Sequence, residues 1–316
     1  MTHTPPPDGA TAGRRAPFQD DNHAGGARRL LVFGEILWDM LPSGPQPGGG
    51  SANAAVLAHA TGVNAMLASA VGDDARGDEM LGRLRARNFP LDGIQRIAGA
   101  KTGIVDVVLT GRGIPSYHIH TDTAWDRIAM TPALRDAAPL ADAFYFDSLT
   151  QRAPVSRATL RELLRLARPG CLRFFEVNLR TPWPAVDVMD ESLAFADVLK
   201  LNHEELPLLA GWLGLPADED GFVAGVYARY PARVVLLTKG PQGAVVFEHG
   251  AAPVFVPADD PGREIVDTVG AGDAFSAGFL AGRLRGMSNA DATRCGSALA
   301  ARVCATAGAW LEPQPM

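Results

Sequence analysis

From about residue 29 onward, short apolar runs alternate with longer stretches whose apolar residues recur every three or four positions. "RRLLVFG" predicts a buried strand over 30–33 that ends at Gly34. A glycine run, "GGGSANAAVLAHATG", then leads into a helix from about 51 to 60. "AMLASAVG" (65–72) is the next strand, and "DARGDEMLGRLRARN" the next helix. Strand alternating with helix is the mark of a parallel sheet covered by helices. The rhythm changes at "TGIVDVVLTGRGIPSYHIHTD", where two alternating strands meet at a glycine-containing turn over 110–113, predicting an antiparallel hairpin. "DAFYFDS", "CLRFFEVN", "ADVLKLN" and "RVVLLTKG" are further apolar strands, separated by helices such as 156–168 and 187–196. "GAVVFEHG" and "APVFVPA" form a hairpin near the end of the sheet, and helices 273–285 and 289–307 close the chain. The pattern is one α/β sandwich with a small β excursion near 100–123, which reads as a lid or an oligomer contact, or else as an edge extension of the sheet.

Composition narrows the function. A net charge of −6, with no Lys/Arg cluster in the body, excludes a nucleic-acid surface. Lysine occurs only at 101, 200 and 239, so each is a poor candidate for solvated filler. Residues 1–27, rich in Pro, Gly and Ala and without apolar periodicity, read as a disordered tail. No apolar run long enough for a membrane span occurs. Cys171, Cys295 and Cys304 stand at non-motif spacings and read as buried reduced thiols of a cytoplasmic protein.

The chemistry concentrates in "DTVGAGDAFSAGF" (267–279). Glycines destabilise a helix start, so Gly270, Ala271 and Gly272 ahead of an apolar helix suggest backbone that approaches something closely. A helix N-terminus presents unpaired N–H groups and partial positive charge, which suits an anion. Asp273 beside that anion hole would take a proton from a hydroxyl; alternatively it only caps the helix. No G-x-x-x-x-G-K-[ST], G-x-S-x-G or Cys/His zinc spacing is present, and "GGGSAN" makes no G-x-G-x-x-G. His118 and His120 share one face of a strand and read as lid residues facing solvent or ligand, with metal binding as the alternative.

"GGGSAN" (48–53) and "DTVGAGDAFSAGF" together closely resemble the two signatures of the PfkB sugar kinases, also called the ribokinase-like family. Ser51 stands where relatives often carry Gly or Pro. "LKLNHEEL" resembles the family's N-x-x-E element, "LLTKGPQGAVV" its nucleotide strand-turn, and "FFEVNLRTPW" the D-x-N-x-R segment of fructokinase-like members, with Glu176 replacing the usual Asp. The resemblance implies a three-layer ribokinase-like α/β sandwich over 28–316, with a mainly parallel central sheet and a small β lid from segments near 37–50 and 99–123.

It also implies roles. Asp273 is the base, and the amides at 271–273, led in by Gly270, hold the transferring phosphoryl group. Asp39, Gly49, Gly50 and Asn53 form the sugar pocket, and Arg180 is a phosphate clamp or a surface ion pair. Asn202 and Glu205 hold Mg²⁺ through water, or are a helix cap and a solvated helix acid. Thr238, Gly240, Gly243 and Ser297 line ATP, with Ser297 alternatively a small packing residue. Asp267 and Thr268 resemble a monovalent-cation loop, which makes K⁺ a candidate activator. The expected activity is phosphoryl transfer from ATP to a primary hydroxyl of a free sugar, fructose first, with 2-keto-3-deoxygluconate or ribose next. An inactive assembly protein of the same family is the alternative, and a homodimer through the lid is expected.

Overall fold

The computed structural model describes residues 28–41, 43–109, 115–180, 182 and 186–311. The expected tail (1–27), the hairpin turn at 110–113 and Arg112 within it lie outside the described residues.

The main sheet has nine strands. Strand β1 (Arg29–Phe33) sits between β4 (Asn64–Gly72) and β8 (Ala143–Asp147), and β5 (Ile94–Ile97) pairs beyond β4. On the other side follow β9 (Leu172–Glu176), β10 (Val198–Asn202), β11 (Val234–Thr238), β12 (Gly243–Glu248) and β13 (Val254–Pro257). The pairs from β5 across to β11 are parallel, and β12 and β13 add the expected antiparallel hairpin at the edge. Parallel strands covered on both faces read as continuous apolar runs, and residues 30–33 are all buried. Leu31 and Phe33 point into one core and Leu30 and Val32 into the other.

Helices fill the two outer layers. On one face lie α1 (Gly50–Ala60), α2 (Ala75–Arg85), α8 (Ala271–Leu284) and α9 (Asn289–Cys304). On the other lie α3 (Pro132–Ala137), α4 (Pro154–Leu166), α5 (Val186–Leu193), α6 (Glu205–Leu213) and α7 (Glu219–Arg229). In α4, Leu160, Leu163 and Leu164 repeat at helical spacing and are buried, which turns its arginines outward. By contrast α8 is buried along nearly its whole length, because it lies between α1 and α9. Cys171 is buried as expected, whereas Cys295 and Cys304 are only partly so. Among the described residues no helix is long and apolar enough to cross a membrane.

A second sheet is built from β2 (Leu37–Leu41), β3 (Gly44–Gly48), β6 (Gly103–Leu109) and β7 (Pro115–Ile119), in the order β3-β2-β6-β7. The two sequence segments expected to form a lid therefore meet in one four-stranded sheet, through the parallel pair β2–β6. Its base is fixed by aromatic and ionic contacts. The buried Trp38 indole donates to the Arg76 carbonyl at 3.1 Å. Arg152 stacks 3.8 Å from the Trp125 ring, holds Asp126 at 2.7 and 2.9 Å, and donates to the His120 carbonyl at 2.7 Å. Register places Asp39, Val105 and Ile119 on one face of this sheet. Asp106 pairs with His118 on the opposite face, so His118 and His120 turn away from Asp39 rather than toward a ligand beside it. There His120 Nε2 lies 2.7 Å from Asp106 Oδ2.

Candidate active site

The C-terminal ends of five neighbouring parallel strands bring polar residues together. Glu35 and Asp39 follow β1, Asp147 ends β8, and Glu176 ends β9 with Asn178 and Arg180 just beyond. Lys200 and Asn202 belong to β10, and Thr238 ends β11. After β1 the chain winds to β4 and β5 on one side, then crosses to β8 on the other. Such a reversal leaves a crevice at the strand ends. The starts of α1 and α8 lie in it, since an ideal Cβ on Gly50 would sit 3.2 Å from Asp273 Oδ1.

The glycine run at 48–50 is explained by its neighbours. Gly49 has φ +99°, a left-handed conformation that favours glycine, and a Cβ there would lie 2.6 Å from the Glu35 carbonyl oxygen. At Gly48 a Cβ would stand 2.0 Å from Asp39 Oδ2. The chain can pass this close to Asp39 and Asp273 only without side chains. Asn53, in the first turns of α1, donates from Nδ2 to Asp273 Oδ2 at 2.8 Å. Its Oδ1 accepts from Trp310 Nε1 at 2.8 Å, which fixes the orientation of the amide.

Gly270 takes φ +77° and caps α8, which begins at Ala271, two residues earlier than its apolar pattern indicates. Gly272 and Asp273 therefore lie in the first helical turn. The Ala271 N–H is already engaged with the Thr268 carbonyl at 3.2 Å. Of the expected anion-hole amides, Gly272 and Asp273 are thus the ones that Gly270, having no side chain, leaves uncapped.

Electrostatically the crevice is acidic at its base. Burial, then the Glu176 charge, raise the Asp273 carboxyl to about 6, against the stabilising Asn53 hydrogen bond and the Lys200 and Arg180 charges. Burial, then the Asp273 and Glu35 charges, likewise raise Asp39 to about 6, opposed by Arg180. Asp39 and Asp273 thus face one space. The Arg180 side chain is exposed, donates to the Leu179 carbonyl at 2.9 Å, and acts on both acids through its field.

The residues expected around the nucleotide form a row along the same edge. Asn202 pairs in register with Thr238, and Gly243 with Pro257. Ser297 Oγ donates to the Pro257 carbonyl at 3.3 Å and accepts from Asp259 N–H at 2.8 Å. Gly240 sits at φ +57° with open space around it, whereas a Cβ on Gly243 would lie 2.2 Å from the Val256 carbonyl oxygen, so β13 itself requires that glycine. Asn202 Oδ1 caps α6 by accepting from Glu204 and Glu205 N–H at 2.9 and 2.8 Å. Glu205 accepts from Leu179 N–H at 2.8 Å and Asn202 N–H at 2.9 Å. Asp267 accepts from Val269 N–H at 2.9 Å and Gly308 N–H at 3.4 Å. Among the described residues no group of three His, Cys, Asp or Glu is placed to cage a metal. Glu205 is buried rather than a solvated helix acid, with both carboxylate oxygens engaged by backbone N–H groups, whereas Asp267 is half-buried. This donor set suits Mg²⁺ carried on phosphates and water better than an ion caged by protein.

Sequence reasoning missed the floor of the site. Glu35 accepts from Ser51 Oγ at 3.2 Å and Thr150 Oγ1 at 3.0 Å, and Asp147 accepts from Asn178 Nδ2 at 3.0 Å. Both acids are buried. Burial and the Glu35 charge hold the Asp147 carboxyl well above the usual carboxylate range. A charged residue between Gly34 and Ile36, directly after a buried strand, was the available signal for Glu35.

The family model "pfkB family carbohydrate kinase" matches residues 44–315. A fructokinase of Klebsiella pneumoniae is 30% identical over 272 residues, covering 80% of this chain and 84% of its own. The crystal structure of a Pyrococcus horikoshii sugar kinase in complex with ATP superposes with a TM-score of 0.75 at 28% identity, covering 89% of this chain and 94% of that one. A fructokinase of Xylella fastidiosa with bound ATP shares the fold, with a TM-score of 0.77 at 24% identity over 89% and 94% of the two chains.

Proposed function

The chain belongs to the pfkB family of carbohydrate kinases and is a phosphotransferase; on that premise we propose that it phosphorylates a primary hydroxyl of free fructose, with Asp273 as the base. The observation that carries this reading is the pairing of Asp39 and Asp273 across the space bordered by Gly48, Gly49 and Gly50. Asp39 can accept two hydroxyl hydrogen bonds, and a carboxylate of that kind suits the vicinal hydroxyls of an uncharged sugar. Asp273 takes the proton of the attacking hydroxyl as its oxygen bonds to the transferred phosphorus and the bond to the ADP oxygen breaks. The uncapped N–H groups of Gly272 and Asp273 meet the charge on the transferring group. When bound, Mg²⁺ supplies charge neutralisation between the phosphates, and Glu205 would meet it through water. Asn202, Thr238, Gly240, Gly243 and Ser297 border the edge where the nucleotide would lie, and K⁺ is a candidate for the loop at Asp267 and Thr268.

Both carboxylates act in their ionised form, and both are raised from 3.8 to about 6. Each therefore loses its charge at a higher pH than an ordinary carboxylate. We expect kcat/KM to be flat above pH 7 and to fall as pH drops through about 6, with a limiting slope between one and two. A profile flat down to pH 4.5 would contradict the roles of both acids.

The substrate test is ADP release against a panel of sugars. Fructose is expected to have a higher kcat/KM than fructose 6-phosphate, ribose and adenosine. Arg180 favours a second reading, since its positive field at Asp39 and Asp273 also suits a sugar acid. If 2-keto-3-deoxygluconate proves at least tenfold better than fructose, the kinase reading stands and the fructose reading fails.

A further inference from the structure

Beneath the first turn of α8 lies a polar cluster that the proposed chemistry does not use. Lys200 and Glu176 are register partners on β10 and β9, both buried, and the Lys200 ammonium donates to a Glu176 carboxylate oxygen. Lys200 Nζ also reaches the Gly272 carbonyl at 3.3 Å, and a Cβ on Gly272 would stand 3.3 Å from it. The other Glu176 oxygen accepts from the Tyr145 hydroxyl at 3.0 Å and from Ser276 Oγ at 2.6 Å. Ser276 lies one turn beyond Asp273 on the same face of α8. Two strands of the sheet therefore grip the turn that carries Gly272 and Asp273, one through Lys200 and the other through Glu176.

We infer that Lys200, held by Glu176, is a positioning residue for phosphoryl transfer: it fixes the first turn of α8 against the sheet and sets a buried positive charge directly behind the anion hole. The inference rests on the reading of that turn as the phosphoryl site. The ammonium adds to the partial positive charge of the helix end, and its distance from the crevice is fixed by the strand rather than by a flexible loop. Groups aimed in advance at developing charge act on the transition state more than on bound substrate. Glu176 balances this charge within the protein. The glutamate, where the resembled segment carries aspartate, has the extra methylene that lets one carboxylate contact Lys200, Tyr145 and Ser276 together. One of only three lysines in the chain is thus buried at its reacting centre.

A buried ion pair can be purely structural, so the test must separate charge balance from positioning. Lys200→Met alone leaves Glu176 buried and unpaired, which destabilises the fold. The double variant Lys200→Met/Glu176→Gln removes both charges and keeps the amide within reach of Tyr145 and Ser276. We expect the double variant to melt within a few degrees of the wild type, with kcat reduced about 100-fold and KM for sugar and ATP changed less than threefold. Glu176→Gln removes the charge that raises Asp273, so the acid limb of its pH–kcat/KM profile is expected to move to lower pH. A double variant that recovers both melting temperature and kcat reduces the pair to a structural one and overturns the proposal, as does Glu176→Gln with an unmoved limb. Asp273→Asn is run alongside: normal turnover there removes the reading of the phosphoryl site itself, whereas its collapse beside an active double variant removes only the role of Lys200.

Discussion

Replacing Asp273 by asparagine is expected to lower kcat by about 10² to 10⁴ while leaving nucleotide affinity close to that of the wild type. The substitution keeps the shape of the side chain and removes the proton acceptor. Asn53 Nδ2 now donates to Asp273 Oδ2 at 2.8 Å, and the new amide can still offer an oxygen there. The first turn of α8 keeps its Gly270 cap and its ties to Glu176 and Lys200, so the amides proposed to meet the phosphoryl group stay in place. The whole effect should then fall on proton removal. Purified variant turning over at near the wild-type rate, with an unchanged melting temperature, would sink the assignment of Asp273 as base.

The second large effect is expected at Asp39. Truncation to alanine should cost about 2–4 kcal/mol in kcat/KM, roughly thirty- to thousand-fold, because it leaves sugar hydroxyls without an acceptor. Asp39 stands on β2, where Gly48 gives way to its carboxylate, so removing it opens space as well as deleting an acceptor. The loss should appear in KM for the sugar together with kcat, and hardly in KM for ATP, since the proposed nucleotide edge lies at β10 and β11. A variant that lost ATP affinity but kept its sugar KM would move Asp39 out of the sugar pocket.

Much of the fold was legible because its strands are covered on both faces. The runs at 30–33, 143–146 and 234–237 are apolar without interruption, and no helical pattern competes with them. The start of α8 was harder. Its pattern predicts a start at Asp273, but Gly270 adopts the left-handed cap and the helix also takes in Ala271 and Gly272. β2 and β3 carry no alternating pattern, with two prolines and two glycines in "GPQPG", and they become strands by pairing with each other and, through β2, with β6. The site divides in the same way. Asn53 and Asp273 sit in motifs that resemble a known family, Asp39 follows from that resemblance, and the structure brings the three to one space. Asp147 and Lys200 meet partners such as Asn178 and Glu176 that lie far away in sequence, and Glu35 meets Ser51 and Thr150, so a lone charge directly after a buried strand is the one local mark, at Glu35. Asn202 and Gly243 show the converse, since a helix cap and a close strand contact occupy them before any ligand does.

The central claim is that this chain moves a phosphoryl group from ATP to a sugar hydroxyl. The most direct measurement is ³¹P NMR of the wild-type protein with ATP, Mg²⁺ and fructose, followed over the course of turnover. The account predicts a sugar phosphomonoester resonance that grows in equal proportion to ADP and does not form without sugar. ADP accompanied only by inorganic phosphate, with or without any sugar of the panel, would contradict it.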